Sequence, residues 1–241
     1  SKTIAVSAEA NRLAAAGEDI VSFGVGEPDF PTPEIIKEAA VEAMEKGYTG
    51  YTAASGLPEL KKAAVNKFAA DYSSEYSTEE VIVCNGGKQV LFNALSAISD
   101  KGDEILIPKP YWVSYPELVK LAGGKPVFIE TKSENKFKLT PSELKDSLNE
   151  NTKAIIINSP SNPDGHFYSK AELKALIEVI IEEDLFIISD EIYDKLLYDQ
   201  QEFNSMIELF PELKDRILIV NGMSKSYSMT GWRVGFGFGN K

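Results

Sequence analysis

The chain has 241 residues, 43% of them hydrophobic and 26% charged, which is long enough to bury a sizeable core. Its formal net charge of −12 argues against a nucleic-acid partner, because proteins that bind polyanions present a basic face. No apolar run approaches the roughly 20 residues that cross a bilayer, and no signal-type segment follows the N-terminus. We therefore expect a cytoplasmic protein without a membrane partner.

One cysteine and one histidine narrow the chemistry further. Cys84 cannot form an internal disulfide, and its apolar surroundings predict a buried thiol. His166 stands in a turn, where a surface position is expected, and a single histidine removes the usual Ser/His and Cys/His hydrolase machinery. No His/Cys cluster has metal-ligand spacing, so no metal site is predicted. Difficult chemistry would need a borrowed organic cofactor.

Short apolar runs alternate along the chain with segments of helical period, a pattern typical of an α/β fold with a mostly parallel sheet. The predicted strands are Val81–Cys84, Glu104–Ile107, Pro126–Ile129, Ala154–Asn158, Leu185–Ser189, Ile217–Val220 and Val234–Phe238. The predicted helices are Pro33–Lys46, Pro58–Tyr72, Lys88–Ser99, Trp112–Leu121, Pro141–Leu148 and Lys170–Glu183. Thr140 and Ser169 each precede a glutamate by three residues, which predicts capping boxes at two helix starts.

The two ends of the chain differ from this pattern. An amphipathic stretch, a short strand at Ile20–Phe23 and a rigid turn at 26–31 indicate an N-terminal arm or part of a second domain. At the other end, the strand Val234–Phe238 runs almost to the last residue and no helix follows to cover it. This ending predicts that further sequence lies downstream.

Ligands of open α/β sheets bind beyond the carboxyl ends of the strands, so the residues after each strand are candidates for a site. After the first strand, Gly86 and Gly87 open directly into a helix with Lys88, where backbone amides and the positive dipole end can hold a phosphate. After the fourth strand, a proline-stiffened turn carries the amide of Asn162. Either segment by itself is also compatible with a plain turn.

The next two strand ends supply ionisable groups. Asp190 and Tyr193 follow the fifth strand, and Lys225 follows the sixth, with Arg233 eight positions later. Trp112, after the second strand, offers a ring face. Pyridoxal phosphate requires these groups. Its aldehyde needs a lysine amine, and its phosphate needs an arginine and a helix N-terminus. Its pyridine nitrogen needs a carboxylate, and its ring needs an aromatic ring for stacking. The set therefore predicts a pyridoxal phosphate site.

These residues stand in segments that resemble the fold-type I, class I/II aminotransferases, particularly the aspartate aminotransferase branch. The matching segments are Gly24-Val25-Gly26-Glu27-Pro28-Asp29-Phe30, Tyr51 with Gly56-Leu57-Pro58-Glu59-Leu60, Gly86-Gly87-Lys88-Gln89, Pro110-Tyr111-Trp112-Val113-Ser114-Tyr115, Asn158-Ser159-Pro160-Ser161-Asn162-Pro163, Ser189-Asp190-Glu191-Ile192-Tyr193 and Ser224-Lys225 through Gly231-Trp232-Arg233. The resemblance implies a three-layer sandwich. It assigns 1–32 to an N-terminal arm with part of a small domain, and 33–241 to a pyridoxal phosphate-binding large domain that is truncated at its C-terminal end. The C-terminal small domain would be absent.

The resemblance also implies a role for each catalytic residue. Lys225 would form the internal aldimine and then act as the acid and base of a 1,3-proton shift. Asp190 would pair with the pyridinium nitrogen, while Tyr193 and Asn162 would hydrogen-bond the ring O3′. The implied reaction moves an amino group from an amino acid, with aspartate as a candidate donor, to a 2-oxo acid such as 2-oxoglutarate.

Other positions would bind the phosphate or the substrate. Trp112 resembles the aromatic residue that stacks on the cofactor ring, and with Asn162 and Gly26 it would line the substrate site. Tyr51 is similar to a tyrosine that reaches the phosphate of the neighbouring subunit, which implies a homodimer with composite sites. The resemblance places the remaining phosphate contacts at Gly86, Gly87, Lys88, Ser224 and Arg233.

Two departures from the family pattern stand out. The usual Asn-Pro-Thr-Gly reads Asn-Pro-Asp-Gly here, and we expect the side chain of Asp164 to point into solvent. The chain also stops at Lys241, before the small-domain arginine that grips the substrate α-carboxylate in this family.

Three alternatives stay open on sequence grounds. A C-S β-lyase would use the same cofactor, and a catalytically incomplete fragment would bind only the cofactor or a partner chain. A dinucleotide-binding enzyme is the weakest reading, because the alternating glycines Gly235, Gly237 and Gly239 lack the spacing and the following helix of that fingerprint.

Overall fold

A seven-stranded sheet forms the centre of the computed structural model, which describes residues 2–24 and 26–241. The strands are β1 (Val81–Asn85), β2 (Glu104–Pro108), β3 (Lys125–Ile129), β4 (Thr152–Asn158), β5 (Phe186–Asp190), β6 (Ile217–Gly222) and β7 (Val234–Phe238). The helices are α1 (Lys2–Ala15), α2 (Glu34–Glu45), α3 (Pro58–Tyr72), α4 (Gly87–Ile98), α5 (Tyr115–Leu121), α6 (Pro141–Asp146), α7 (Lys170–Glu182) and α8 (Met206–Leu209). All seven predicted strands of the sheet and all six predicted helices are confirmed, with shifts of a few residues at their ends.

The order of the sheet is β1-β7-β6-β5-β4-β2-β3. The neighbours from β3 through β6 run parallel, as the alternating pattern predicts, whereas β7 runs antiparallel to both β1 and β6. Residues 223–233 between β6 and β7 contain no α-helix that could carry the chain back to the opposite end of the sheet. A parallel return needs such a crossover, so β7 comes back antiparallel. Its cover is α4, which packs against β7.

Helices cover both faces of the sheet and give three layers. Successive residues of β5 point to opposite sides: Ile187 packs into the cluster with Phe68 and Leu176, and Ile188 into the cluster with Leu95. These side chains are buried, and burying one leucine or isoleucine contributes about 1.5–3 kcal/mol to stability. The two cores hold the strand ends rigidly in place.

The predicted capping boxes are confirmed. The amide of Glu143 donates to Thr140 Oγ1 at 3.3 Å, and the Glu143 carboxylate accepts from the amide of Thr140 at 2.9 Å. Ser169 and Glu172 repeat the arrangement at the start of α7. Cys84 is buried, and this burial raises the pKa of its thiol.

The predicted strand at Ile20–Phe23 is wrong. Within the described stretch 18–24 the backbone forms no strand, and Val21 and Phe23 are 77% and 94% exposed. A strand needs a neighbour for its backbone N–H and C=O groups, and β-type composition alone does not provide one. Val25, in the middle of a motif noted in the sequence, lies outside the described residues. In the part of the chain that the structure describes, no helix has the length and apolar character to cross a membrane.

Candidate active site

Asp190, the last residue of β5, supplies a buried carboxylate at the edge of the sheet. Its Oδ2 accepts a hydrogen bond of 2.7 Å from the hydroxyl of Tyr115, and its Oδ1 a longer one of 3.3 Å from the amide of Ile192. Burial raises the pKa of Asp190 to about 6, although both hydrogen bonds act in the opposite direction. Among the described residues this carboxylate has no cationic side chain as a partner. Such a buried carboxylate could pair with a cationic group of a ligand.

Asn162 and Tyr193 lie next to this acid. The Nδ2 of Asn162 donates to the Tyr193 hydroxyl at 3.2 Å, and its backbone amide donates to Asn158 Oδ1 at 2.8 Å. Asn158, at the end of β4, in turn donates to the backbone oxygen of Asp190 at 2.9 Å. Burial raises the pKa of Tyr193, so its phenol stays protonated at neutral pH. The turn after β4 and the turn after β5 are therefore joined through the predicted residues.

Lys225 lies in the loop after β6 and is half-buried. Its Nζ donates to the backbone oxygen of Gly26 at 2.7 Å and lies 5.6 Å from the centre of the Tyr193 ring. Burial lowers the pKa of this amine, Arg233 lowers it further, and Glu27 acts in the opposite direction. A lowered pKa leaves more of the amine unprotonated and nucleophilic.

The turn between β1 and α4 leaves space for a guanidinium at the start of the helix. Gly86 precedes α4 with φ of +83°, and a Cβ built there would lie 2.3 Å from Nη2 of Arg233. A Cβ on Gly235 would lie 2.4 Å from the backbone carbon of Gly86. Only glycine allows this approach, which places the arginine side chain at the positive end of α4. The two together form a cradle for an anion.

Trp112 lies in the loop before α5, since that helix begins at Tyr115 and not at Trp112 as predicted. The two rings pack edge to face, with their centres 5.5 Å apart. The Nζ of Lys88 is 4.9 Å from the centre of the Trp112 ring, a cation–π distance. Lys88, predicted to bind the phosphate, thus contacts Trp112, predicted to stack on the cofactor ring.

The other predicted residues fall into two groups. Gly87 is the first residue of α4, and Ser224 is buried in the lysine loop, where its backbone oxygen accepts from the amide of Met229 at 3.1 Å. Tyr51, in contrast, is fully exposed in the segment between α2 and α3, and the structure does not bring it to the other site residues.

The turn after β4 lies at the surface as expected, but the side chain of Asp164 does not extend freely into solvent. The Asp164 carboxylate is hydrogen-bonded to Nδ1 of His166, and the two side chains are only 17% and 11% exposed. The imidazole also packs edge to face on Tyr168, with ring centres 5.4 Å apart. The two side chains thus face each other within the turn and are only partly accessible to solvent.

Three residues of the site are missing from the sequence prediction. Tyr115 donates a hydrogen bond to Asp190, and Glu191 and Asp194 are buried carboxylates that follow Asp190 in the chain. Glu191 accepts from the hydroxyls of Ser189 and Ser205, both at 2.8 Å, and burial raises its pKa to about 7. The sequence does carry a signal for the two carboxylates. Three acids lie within five positions at the end of a buried strand, so some of them must be buried with it.

Comparison with known proteins decides the family. A family model described as "Aminotransferase class I and II" matches residues 18–241. The chain belongs to the class I and II aminotransferases. Its predicted membership of the aspartate aminotransferase branch is confirmed by relatives of that name and by solved structures.

Curated relatives align with the whole chain. The aspartate aminotransferase of Bacillus subtilis is 51% identical over 241 residues, which is 100% of this chain and 61% of the relative. That of Geobacillus stearothermophilus is 52% identical with the same coverage. An aspartate/prephenate aminotransferase of Cereibacter sphaeroides is 49% identical over 99% of this chain and 60% of the relative. The chain thus spans about 61% of the length of the first two relatives.

Solved aminotransferase structures share the fold. The aspartate aminotransferase of Rhizobium meliloti superposes with a TM-score of 0.95 at 42% identity, covering 99% of this chain and 60% of that one. The Thermus thermophilus enzyme with maleate gives 0.94 at 44% identity, with coverages of 99% and 62%. The α/β large-domain fold of these aminotransferases is therefore the fold of this chain. Aspartate aminotransferases of this family depend on pyridoxal phosphate.

Proposed function

We propose that the protein carrying this chain is a pyridoxal phosphate-dependent aminotransferase. It would move an amino group from an amino acid, with aspartate as the leading candidate, to a 2-oxo acid such as 2-oxoglutarate. The observation that carries this proposal is the convergence of Asp190, Asn162, Tyr193 and Lys225 at one edge of the sheet. Family membership and the aspartate aminotransferase relatives support the same reaction class.

The polar groups of the site fit pyridoxal phosphate. Asp190, buried without a cationic partner among the described residues, suits a protonated pyridine nitrogen. The cradle of Gly86 and Arg233 at the start of α4 suits a phosphate, and a Cβ at position 86 would fill it. Asn162 and Tyr193 present an amide and a phenol for a ring oxygen. We propose that these residues hold the cofactor, with Gly87, Lys88, Ser224 and Trp112 completing the phosphate and ring contacts.

When bound, pyridoxal phosphate supplies an aldehyde for the substrate amino group and a ring that withdraws electrons from the substrate Cα. The chain's own residues do the rest. The lowered pKa of Lys225 Nζ makes this amine a better proton acceptor and donor near neutrality than an ordinary lysine, and so suited to move a proton. Asp190 supplies negative charge in a buried position, where a charge interaction is stronger than in water. Gly26 orients the lysine through its backbone oxygen.

The remaining sequence-based expectations extend this proposal. Tyr51 would reach the phosphate of a second subunit, which requires a homodimer; its full exposure leaves it available for such a contact. Gly26, Trp112 and Asn162 would line the substrate site. We propose residues 1–32 as an N-terminal arm with part of a small domain, 33–241 as the cofactor-binding large domain, truncated at its C-terminal end, and the cytoplasm as the location.

The test is a Lys225→Ala variant of the whole protein, compared with the wild type and with an exposed control, Glu178→Gln. We expect the wild type to bind pyridoxal phosphate with a visible absorbance band that is absent from Lys225→Ala. We also expect conversion of aspartate and 2-oxoglutarate to fall by about 10⁴-fold in that variant. A wild type that never binds the cofactor would refute the proposal. Ammonia and pyruvate as products, in place of an amino acid and a 2-oxo acid, would assign the protein to the β-lyases.

A further inference from the structure

Asp194 is a buried carboxylate, 3% exposed, to which three separate parts of the chain donate hydrogen bonds. Its Oδ2 accepts from the hydroxyl of Tyr72 in α3 at 2.5 Å and from Nδ2 of Asn221 in β6 at 3.1 Å. Its Oδ1 accepts from the hydroxyl of Ser226 at 3.1 Å. All three donors are neutral, so within the described part of the chain the carboxylate is satisfied by hydrogen bonds and not by an ion pair.

These bonds join the two turns that carry the site. Ser226 follows Lys225 directly, and the Ser226 hydroxyl is the atom through which that turn contacts Asp194. On the other side, the amide of Asp194 donates to the backbone oxygen of Glu191 at 3.1 Å, which closes the turn that carries Tyr193 and directly follows Asp190. Asn221 also donates to that oxygen, at 3.3 Å. A single carboxylate thus lies between the acid turn and the lysine turn.

The geometry points to Asp194 as a positioning residue for Lys225, acting through the Ser226 hydroxyl. The inference rests on the proposed role of Lys225 and adds a residue to which neither the sequence motifs nor the family resemblance gave a role. It explains why a carboxylate is buried here, since a charge is withdrawn from water only where several donors are fixed around it. Those donors in turn become fixed points for the loops that carry them.

The pKa of the Lys225 amine shows whether the lysine turn is held in place. Its amine faces the oxygen of Gly26, the ring of Tyr193, the carboxylate of Glu27 and the guanidinium of Arg233. Burial is the largest cause of its lowered pKa. If the lysine turn loosens, water reaches the amine and its pKa must rise toward its ordinary value.

The decisive variant is Ser226→Ala, which removes the contact but leaves the charge of Asp194 in place. The lysines of the whole, cofactor-free protein would be ¹³C-methylated, and the Lys225 signal assigned by its loss in Lys225→Arg. We expect Ser226→Ala to raise the pKa of Lys225 by about half a unit or more. Ser226→Thr, which keeps the hydroxyl, should restore the wild-type value.

The matched control is Ser205→Ala. It also removes a hydrogen bond from a serine hydroxyl to a buried carboxylate, but this serine is fully buried and its acceptor is Glu191, not Asp194. We expect it to leave the pKa of Lys225 unchanged. A shift of equal size in Ser205→Ala, or none in Ser226→Ala, would overturn the inference.

Asp194 itself is tested by amide hydrogen exchange, which reports directly on how firmly the lysine turn is held. The amides of Tyr227 and Met229 close the lysine turn onto Met223 and Ser224. We expect Asp194→Asn to speed their exchange by about tenfold and Ser205→Ala to leave it unchanged. Unchanged exchange in Asp194→Asn would refute the role. If that variant does not fold, Ser226→Ala answers the same question at a half-buried position.

Both readouts use cofactor-free protein, so they separate this inference from the proposed function. A protein that never binds pyridoxal phosphate but shows the shift in Ser226→Ala would keep Asp194 as the residue that positions Lys225. A protein that binds the cofactor and shows no shift would keep the proposed function and lose the inference.

Discussion

Lys225 contacts two regions that are built differently: the acid side of the site, formed by the end of β5 and the turn after it, and the N-terminal segment. On the acid side, Asp190, Glu191 and Asp194 are buried, and each accepts at least two hydrogen bonds. The N-terminal segment comprises the described residues before α3. In it, large apolar side chains such as Phe23 and Phe30 are exposed. None of the described side chains of α2 is buried.

Polar contacts hold that segment to the lysine loop. Thr32 Oγ1 donates to the backbone oxygen of Ser228 at 2.6 Å and accepts from Nε1 of Trp232 at 3.0 Å. The Thr230 hydroxyl donates to Glu27 at 3.2 Å, and Lys225 donates to the backbone of the same segment. The difference teaches that one side of the lysine is preorganised by the core, while the other rests on a few exposed or half-buried hydrogen bonds that open more readily.

The largest effect is expected on the preorganised side. Asp190→Asn removes the buried charge, yet the Asn oxygen can still accept from Tyr115. We expect kcat to fall by about 10²–10³-fold while the midpoint of unfolding changes little. The measurement is the transamination rate beside a denaturant titration. Activity within threefold of wild type would show that the charge of Asp190 is not used.

Gly235→Ala tests how closely the anion cradle is packed. The added Cβ would meet the backbone of Gly86 and Gly87 at 2.4 and 2.6 Å, where no flexible side chain can move aside. We expect the free energy of unfolding, measured in denaturant, to fall by about 3 kcal/mol. Gly231→Ala is the control in the same segment, because nothing lies within 4 Å of a Cβ there. Equal losses in both variants would contradict this account.

Glu191→Gln tests the burial of the acids through pH. Its folded-state pKa of about 7 lies above the ordinary 4.5, so the folded chain holds a proton that the unfolded chain releases. The free energy of unfolding therefore falls as pH rises from about 4.5 to 7, by at most about 1.4 kcal/mol per unit. Asp190 acts in the same direction between 3.8 and about 6.

In Glu191→Gln this slope should become smaller between about pH 4.5 and 7. The glutamine oxygen can replace Oε1, which accepts from Ser189 and Met206, and its amide can donate to the Ser205 hydroxyl. Unfolding titrations across this range, with the exposed Glu178→Gln as the control, measure the change. An unchanged slope would show that Glu191 is ionised in the folded chain.

The smallest effect is expected at the hydrogen bonds of Thr32, which is half-buried at the edge of the lysine loop. Thr32→Val removes both hydrogen bonds of the Thr32 hydroxyl, at about 1 kcal/mol each, without changing the shape of the side chain. We expect protease cleavage of the N-terminal segment to speed up by about fivefold to tenfold, while global unfolding stays the same. Thr52→Val, which loses one weak 3.4 Å bond, is the control. Identical cleavage rates would remove the contrast between the two sides.

Much of this protein is determined by the sequence alone. The alternation of apolar runs and helical periods predicts the strands and helices, because side-chain periodicity is a local property of each segment. The capping boxes at Thr140 and Ser169 are local for the same reason. The candidate site also follows from sequence, since the carboxyl ends of parallel strands meet at one edge and polar residues after those strands must meet with them.

The tertiary structure alone decided the rest. The direction of β7 depends on the path of the chain after β6, and the false strand at Ile20–Phe23 lacks a neighbour, so both depend on distant segments. The same holds for the bond from Tyr72 to Asp194, which are 122 positions apart. Burial and hydrogen-bond partners set the protonation of Asp190, and they exist only once remote parts of the chain have packed together.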